Sequence, residues 1–286
     1  MGLRQTNQGA SSQPGPMGWK PGGVFQLRFP VLFSSAVIVD ETARRHALLF
    51  GHFFLANETS KPLEVSHPVT TTLEQSAVPF VPADRTLPVL QEAVQHCRGC
   101  DLYLNATQAV FGELDTHAAE QKPKVAIMMI GEQPGEQEDR QGRPFVGPAG
   151  KLLDKCLEEV GIDRRKVYVT NAVKHFRWEP RGKLRLHKKP TMKEIHACRP
   201  WLEAELETVR PELIVCLGAT AAQSLLGAAF RITKSHGEIE HVEGLPPILA
   251  TLHPSAILRA RTEEDRERDR KIFLEDLHQA MKFLQK

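Results

Sequence analysis

The apolar run Val125-Ala126-Ile127-Met128-Met129-Ile130 passes directly into the turn-forming residues Gly131-Glu132-Gln133-Pro134-Gly135. A short apolar run bounded in this way predicts a buried β-strand that ends at a tight turn. Similar runs alternate with helix-like segments from here to the C-terminus. This alternation is typical of a doubly wound parallel sheet, so the predicted fold class is α/β.

Further strands and helices complete the predicted pattern. The strands are expected at residues 167–170, 213–217 and 248–251, and the helices at residues 151–160, 191–209, 219–226 and 263–283. Thr191 and Glu194 have the spacing of a capping box at the start of the second of these helices. We therefore predict a three-layer α/β/α architecture around a central four-stranded, mainly parallel sheet.

The N-terminal part of the chain differs from the rest in composition. Residues 1–23 are rich in Gly, Pro, Ser and Gln, which predicts disorder, and residues 24–80 hold apolar patches without a clean period. We therefore predict an N-terminal extension over residues 1–80, partly disordered, and one domain over residues 81–286. A small appendage within residues 24–80 is the alternative.

Composition excludes several protein classes. No run is long and apolar enough to span a bilayer, and the early apolar stretch at residues 29–39 lies too far from the N-terminus for a typical signal peptide. Five cysteines, an odd number without export features, favour reduced thiols over a disulfide framework. We expect a cytoplasmic monomer without membrane contact.

Small or polar residues follow each of the four predicted strands. They are Gly131 to Gly135 after the first strand, Asn171 after the second, Gly218-Ala219-Thr220 after the third and His253-Pro254-Ser255 after the fourth. A single such residue is usually a turn or a helix cap. Because the carboxyl ends of parallel strands meet at one edge of the sheet, four of them predict a ligand site.

A basic segment adds a candidate nucleophile. Residues 174–189 contain seven Lys and Arg residues against the single acid Glu179, although the whole chain carries a net charge of only +2. Such local charge suits a phosphate backbone. The part at residues 182–190 is expected to be a loop, and it places His187 among these basic residues. A solvated loop in which His187 has no function would explain this composition equally well. A functional role for His187 is therefore supported only by the strand-end residues.

Two of these segments resemble the motifs of a known family. Gly131 to Gly135, with Glu138-Asp139 and the stretch at residues 142–150, resembles the first motif of the uracil-DNA glycosylase superfamily in its iron-sulfur branch. His253-Pro254-Ser255 is similar to the second motif. The stretch at residues 171–176 and the loop at residues 183–187 are similar to the UdgX group, close to family four, whose members stay attached to DNA after excising uracil. The resemblance covers roughly residues 87–286, and Leu184 departs from it, because the UdgX loop usually has a basic residue there.

Cysteines indicate a metal centre. Cys97-x-x-Cys100 has the spacing that metals and clusters require, and Cys198 lies on a predicted helix. The resemblance implies a 4Fe-4S cluster held by Cys97, Cys100, His175 and Cys198. Three cysteines and one histidine would equally suit a structural zinc ion. The remaining cysteines are expected in the core: Cys156 and Cys216.

The resemblance also implies roles in base recognition. Phe145 would stack on a uracil that is swung out of the helix, and the Asn171 side chain would read its edge. His253 and the main-chain N–H groups of the turn that begins at Gly131 would stabilise charge on the departing base. Further substrate contacts are implied for three residues: Gln133, Arg185 and Ser255. Ile257 and Leu258 would either wedge the base stack or pack as the start of a helix.

His187 completes the expected chemistry. A neutral imidazole is a competent nucleophile, and a tethered one competes with water for the cationic sugar. Glu132 is expected to orient the ring and accept its second proton. The expected function is excision of uracil from single-stranded or double-stranded DNA, with a stable covalent link from His187 to the abasic site. The alternatives are a conventional multiple-turnover iron-sulfur uracil-DNA glycosylase and a non-catalytic nucleic-acid-binding domain stapled by a metal.

Overall fold

The computed structural model describes residues 75–115 and 124–286. Most of the predicted N-terminal extension, residues 1–74, therefore lies outside the described residues. Residues 75–80 lie within them, and Ala77 is buried in a cluster with Cys97 and Cys198. The start of the domain at residue 81 stays a prediction.

The described residues contain one large sheet and one hairpin. The strands are β1 (Glu113–Leu114), β2 (Ile127–Gly131), β3 (Val167–Asn171), β4 (Trp178–Arg181), β5 (Leu184–His187), β6 (Leu213–Leu217), β7 (Ile239–Glu240) and β8 (Ile248–Thr251). Six of them form the large sheet in the order β1-β3-β2-β6-β8-β7, and β4 pairs with β5. The four inner strands are parallel, as predicted.

The predicted strand number was wrong. Two short strands, β1 and β7, pair antiparallel with β3 and β8 and extend the sheet from four strands to six. Each edge strand has only two residues, which is too short to show the alternation by which a strand is recognised in a sequence.

Helices connect the strands and cover the sheet. They are α1 (Leu87–Ala93), α2 (Glu136–Gln141), α3 (Pro148–Val160), α4 (Met192–Val209), α5 (Ala219–Leu226), α6 (Ile232–Ser235), α7 (Pro254–Leu258) and α8 (Glu263–Leu284). The predicted capping box opens α4, because the Thr191 hydroxyl accepts from the Glu194 N–H and the Glu194 carboxylate accepts from the Thr191 N–H. No helix in residues 75–115 and 124–286 is long and apolar enough to cross a membrane.

The predicted three layers are present. Ile127 and Met129 of β2 point to one face of the sheet and belong to a core cluster with residues of α3 and α8. Met128 and Ile130 point to the other face and pack in a cluster with residues of α4 and α5. Successive side chains of a strand alternate between faces, so β2, buried throughout, serves both cores. Cys156 lies in the first cluster and Cys216 in the second, as expected of core thiols.

The basic segment is a β-hairpin, and the predicted loop was wrong. Trp178 pairs with His187 and Arg181 with Leu184, leaving Gly182 and Lys183 as the turn. Gly182 has φ 60°, a conformation that glycine adopts without steric cost and that two-residue hairpin turns require. The alternation of Leu184, Arg185, Leu186 and His187 was the strand signal, and the charge of the segment obscured it.

Candidate functional site

A cavity of about 360 Å³ opens at the carboxyl ends of the inner strands. Seven of the predicted site residues line it: Glu132, Gln133, Phe145, Asn171, His187, His253 and Ser255. The crevice predicted from the strand ends is therefore present, and the hairpin reaches it with His187. The cavity wall also contains Thr220, one of the strand-end residues to which no separate role was assigned, and the basic residues Lys189 and Arg259.

Gly131 leaves space for its neighbours. A Cβ atom at this position would overlap with Oδ1 of Asn171 and approach the ring of Phe145 to 2.9 Å. Asn171 itself is buried at the end of β3, directly opposite Gly131 in the strand register. The missing side chain of Gly131 thus allows an amide and an aromatic ring to meet at one end of the cavity.

Phe145 is held in an unusual backbone conformation. Its φ of 55° lies in the left-handed region, where residues other than glycine are uncommon. Gly150, in the first turn of α3, has no Cβ atom, and one placed there would overlap with the Phe145 carbonyl group. The Phe145 ring is stacked against His253, with centroids 6.2 Å apart and an interplanar angle of 22°. An ordered aromatic face therefore borders the cavity.

The protonation of His253 is set by the helix that it caps. Its Nδ1 accepts a hydrogen bond of 3.1 Å from the main-chain N–H of Ser255, in the first turn of α7. Burial, with smaller contributions from Arg259 and His187, lowers the pKa of His253 to about 4. The neutral ring must therefore carry its proton on Nε2, which makes His253 a hydrogen-bond donor at neutral pH.

The two oxygens of Glu132 have different partners. Oε2 accepts a hydrogen bond of 2.5 Å from the Thr220 hydroxyl, whereas Oε1 lies 3.8 Å from Nε2 of His187. The carboxylate thus faces one ring nitrogen of His187. The sequence suggested instead that Glu132 would accept the proton of the other ring nitrogen.

Gln133 binds the hairpin. Its amide nitrogen donates to the carbonyl groups of Arg177 and Lys188 and lies 2.8 Å from Nε2 of His187, while its Oε1 accepts from the Arg177 N–H. Two carbonyls on one side and an N–H on the other fix the orientation of this amide. An amide nitrogen has two hydrogens and cannot accept, so Nε2 of His187 is the acceptor in this contact and shares one of those hydrogens with a carbonyl group. The neutral ring then carries its proton on Nδ1. In this arrangement Gln133 positions His187, a role that the sequence did not suggest.

His187 has the protonation state of a nucleophile. Its pKa is lowered, first by burial and then by Arg259, against an opposing effect of Glu132. The side chain remains 47% exposed, so solvent reaches it. The neutral imidazole thus has an accessible position and a lone pair on Nε2.

Arg185 anchors the hairpin and is not among the residues that line the cavity. Its guanidinium donates to Asp139 over 2.7 Å, and its Cζ lies 5.4 Å from the ring centroids of Phe176 and Trp178. Only 14% of the Arg185 side chain is exposed, and Asp139 is fully buried. This environment favours a structural role over the expected substrate contact, because the charge is already paired inside the protein.

The other basic residues of the segment divide into two groups. Lys174 is fully buried and paired with Glu205, so its expected phosphate contact is not available. Arg177 and Lys188 pair with Glu194 and Glu179. Within residues 75–115 and 124–286, the exposed Lys and Arg side chains of the segment without an acidic partner are Arg181, Lys183 and Lys189. These three remain candidates for phosphate contacts.

Ile257 and Leu258, the two residues expected either to wedge the base stack or to pack in a helix, differ in their exposure to solvent. Ile257 is 1% exposed and belongs to the core, which excludes it as a wedge, whereas Leu258 is 41% exposed.

Three of the four predicted metal ligands share one buried cluster. Cys97, Cys100 and Cys198 pack together between the segment after α1 and helix α4. The sulfur atoms of Cys97 and Cys198 accept hydrogen bonds from the Trp201 indole N–H, at 3.1 Å, and from the Lys174 main-chain N–H, at 3.3 Å. Such donors are the outer partners that stabilise metal-bound thiolates, so the donor set fits a thiolate-bound centre.

The fourth predicted ligand, His175, is not in this cluster of cysteines. Burial lowers the pKa of His175 to about 4, which keeps its imidazole neutral as a ligand requires. No group of three or more His, Cys, Asp or Glu side chains in the described parts of the chain is arranged to hold a metal ion. The cluster and its fourth ligand, His175, stay predictions, and so does the zinc alternative.

Comparison with known proteins gives a consistent family. The model of the uracil DNA glycosylase superfamily matches residues 119–278. The chain is 39% identical to a Type-4 uracil-DNA glycosylase of Thermotoga maritima over 206 residues, which cover 71% of this chain and 97% of that protein. It is 37% identical to a Type-4 uracil-DNA glycosylase of Archaeoglobus fulgidus over 184 residues, covering 62% and 85%. A Type-5 uracil-DNA glycosylase of Pyrobaculum aerophilum is 33% identical over 149 residues, covering 46% and 62%.

Proposed function

The chain belongs to the uracil-DNA glycosylase superfamily, and from this we propose that it excises uracil from DNA and remains covalently attached to the abasic site through His187. The position of His187 is the observation that supports covalent attachment to the abasic site. Its Nε2 lies at the cavity wall, 3.8 Å from the Glu132 carboxylate, in an imidazole that burial keeps neutral.

Uracil would be recognised between Phe145 and Asn171. The base stacks on the Phe145 ring, and the Asn171 amide donates to uracil O4 and accepts from N3–H. Cytosine presents the reversed pattern and would leave the buried amide unsatisfied, which costs about 1–3 kcal/mol for each lost bond. Burial of Asn171 supports this role, because water cannot readily replace a missing partner there.

Departure of the base would be assisted by hydrogen-bond donors. As the C1′–N1 bond breaks, its electron pair leaves with uracil, and negative charge develops on the base. The neutral Nε2–H of His253 and main-chain N–H groups of the turn after β2 would stabilise that charge. The Glu132 carboxylate faces the positive charge that develops on the sugar.

The sugar would be captured by the protein. The lone pair on His187 Nε2 leaves its hydrogen bond with Gln133 and forms a bond to C1′. The alkylated ring then releases its Nδ1 proton to solvent, and the uracil anion takes up a proton from solvent. A neutral N-alkyl imidazole is a poor leaving group, so the adduct would persist.

The cysteine centre would support the site from outside. A 4Fe-4S cluster held by Cys97, Cys100, Cys198 and His175 would cross-link the segment after α1 to α4 and to the residues that follow β3. The reaction described above uses only side chains and main-chain groups of this chain.

A conventional glycosylase with multiple turnovers is the second candidate. The solvent exposure of His187 favours it, because water that reaches the ring can also reach C1′. In that case His187 would contact DNA, and the protein would release a free abasic product.

One experiment tests both candidates. The protein is incubated with an oligonucleotide that contains one uracil, and the products are separated under denaturing conditions. We expect a shifted protein-DNA band and released uracil. His187→Ala should lose the band and still release uracil, since water can trap the sugar, whereas Leu184→Ala, at an exposed position of the same hairpin, should keep the band. A free abasic product with the unmodified protein would support the second candidate, and the absence of uracil release would refute both.

A further inference from the structure

We propose that Thr220 is a positioning residue that fixes the plane of the Glu132 carboxylate, so that the oxygen not bonded to Thr220 faces the reacting sugar and His187. This inference rests on the proposed function. It assigns a role to Thr220, which follows the third predicted strand and takes no part in the proposed excision and capture steps.

The contact is direct and partly buried. The Thr220 hydroxyl donates to Oε2 of Glu132, and Thr220 is only 4% exposed at the wall of the cavity. Of the polar contacts described for Glu132, this is the only one to Oε2, and Oε1 is left to face His187. The terminal torsion of a glutamate is broad, so the plane of the carboxylate can rotate unless one oxygen is held.

The bond is not a helix cap. Threonine in the first turn of a helix commonly bonds to the backbone of its own helix. The N-cap of α5 is Gly218, which has no side-chain cap, and Thr220 instead reaches a residue 88 positions away. The hydroxyl therefore serves the carboxylate.

The support beneath Thr220 is rigid. Gly218 has φ 90° and donates its N–H to the Thr251 carbonyl, at the end of β8, over 2.8 Å. A Cβ atom at Gly218 would lie 3.1 Å from Cβ of His253. The turn that carries Thr220 is thus packed against the strand end that carries His253. A hydroxyl on such a support can hold the Glu132 carboxylate in one orientation while DNA binds.

The test compares two substitutions of Thr220, one that removes the hydroxyl and one that keeps it. Thr220→Val removes the hydroxyl and keeps the shape, and Thr220→Ser keeps the hydroxyl. We expect Thr220→Val to slow single-turnover uracil release by about 10-fold to 100-fold, while the protein concentration that gives half of the maximal single-turnover rate stays within about twofold of that of the unmodified protein. Thr220→Ser should recover most of the rate. Ser224→Ala, which removes a buried hydroxyl that bonds to the Ala221 carbonyl in the same helix, should not change the rate.

A double substitution separates positioning from a general loss of packing. If Thr220 acts through Glu132, Thr220→Val should have little further effect in a Glu132→Gln background, so the two effects should not add. Full additivity, or a Thr220→Val rate equal to that of the unmodified protein, would overturn the role of Thr220 and leave the proposed function standing. An unmodified protein that releases no uracil would overturn the proposed function and this inference together.

Discussion

The side-chain amide of Gln133 donates a hydrogen bond to Nε2 of His187 over 2.8 Å. Gln133 follows Glu132 directly in the chain, and Oε1 of Glu132 lies 3.8 Å from the same nitrogen. Two successive residues of the turn after β2 therefore contact the same atom, Nε2 of His187. This atom belongs to a hairpin that lies more than 50 residues further along the chain. The turn that we propose to assist departure of the base thus also positions His187, the proposed nucleophile.

Gln133→Ala should change the ratio of products. Without the amide, His187 loses its fixed position, and water gains time to capture the sugar. We expect the adduct fraction to fall about tenfold, while total uracil release changes less, because breaking the glycosidic bond does not use this amide. Gel quantification of adduct and free abasic DNA measures both. Gln141→Ala, at an exposed position of α2, is the control, and an unchanged adduct fraction in Gln133→Ala would contradict the positioning role.

Arg185→Ala should destabilise the fold as well as the adduct. The substitution leaves the fully buried Asp139 carboxylate without its guanidinium partner, and breaking a buried pair typically costs about 3–5 kcal/mol. Since Arg185 is slightly exposed and Asp139 keeps the Thr107 N–H as a donor, we expect the lower end of that range. Urea denaturation measures the free energy of unfolding. Arg181→Ala, at the exposed end of the hairpin, should change it by less than about 0.5 kcal/mol.

Asn171→Asp should weaken the preference for uracil. A carboxylate keeps the acceptor for N3–H but loses the donor for O4, and one such bond in a buried site is worth about 1–3 kcal/mol. Single-turnover excision of uracil should slow by about tenfold or more. Unchanged excision would mean that another group reads the base.

The pH dependence of adduct formation should follow the lowered pKa of His187. Burial disfavours the charged imidazolium, so the ring stays neutral below its ordinary value of about 6.5. The nucleophile is the neutral form, and its population falls only as the pH drops through the lowered pKa. Single-turnover adduct rates between about pH 5 and about pH 8 should therefore have an acidic midpoint below about 6.5. A midpoint above that value would show that the ring is stabilised in its charged form.

Anaerobically purified protein should contain iron and sulfide and absorb broadly in the visible range. Cys198→Ser should reduce both contents, because it removes a thiolate from the buried cysteine cluster. Cys216→Ser is the matched control, since this cysteine is equally buried but lies in the core of the sheet. Stoichiometric zinc without iron would support the alternative metal.

Local patterns were sufficient for the inner sheet. The four inner strands could be predicted because each is a mostly apolar run that ends at turn residues, and the strand-end residues meet at one cavity as the topology requires. The capping box at Thr191 was predictable for the same reason, because it involves residues only three positions apart.

Contacts between distant residues could not be predicted in this way. The sequence presents Arg185, Lys174 and Gln133 as polar residues suited to DNA or uracil. Their partners Asp139, Glu205 and His187 lie between 31 and 54 positions away, and nothing local marks these residues as paired. The hairpin was missed because its strands bury little apolar surface and are held by Arg185 and Gln133. Polar anchoring has no periodicity that a sequence pattern can detect.

The bond from the Ser255 main chain to His253 has a consequence for how this site tolerates mutation. The donor is an amide of the peptide backbone, so nineteen of the twenty amino acids at position 255 would supply the same N–H, and only proline would remove it. Substitution at that position can alter the cavity wall without altering which ring nitrogen of His253 carries the proton. The backbone conformation at His253 and Ser255 fixes the tautomer. The tautomer therefore stays the same when neighbouring side chains change.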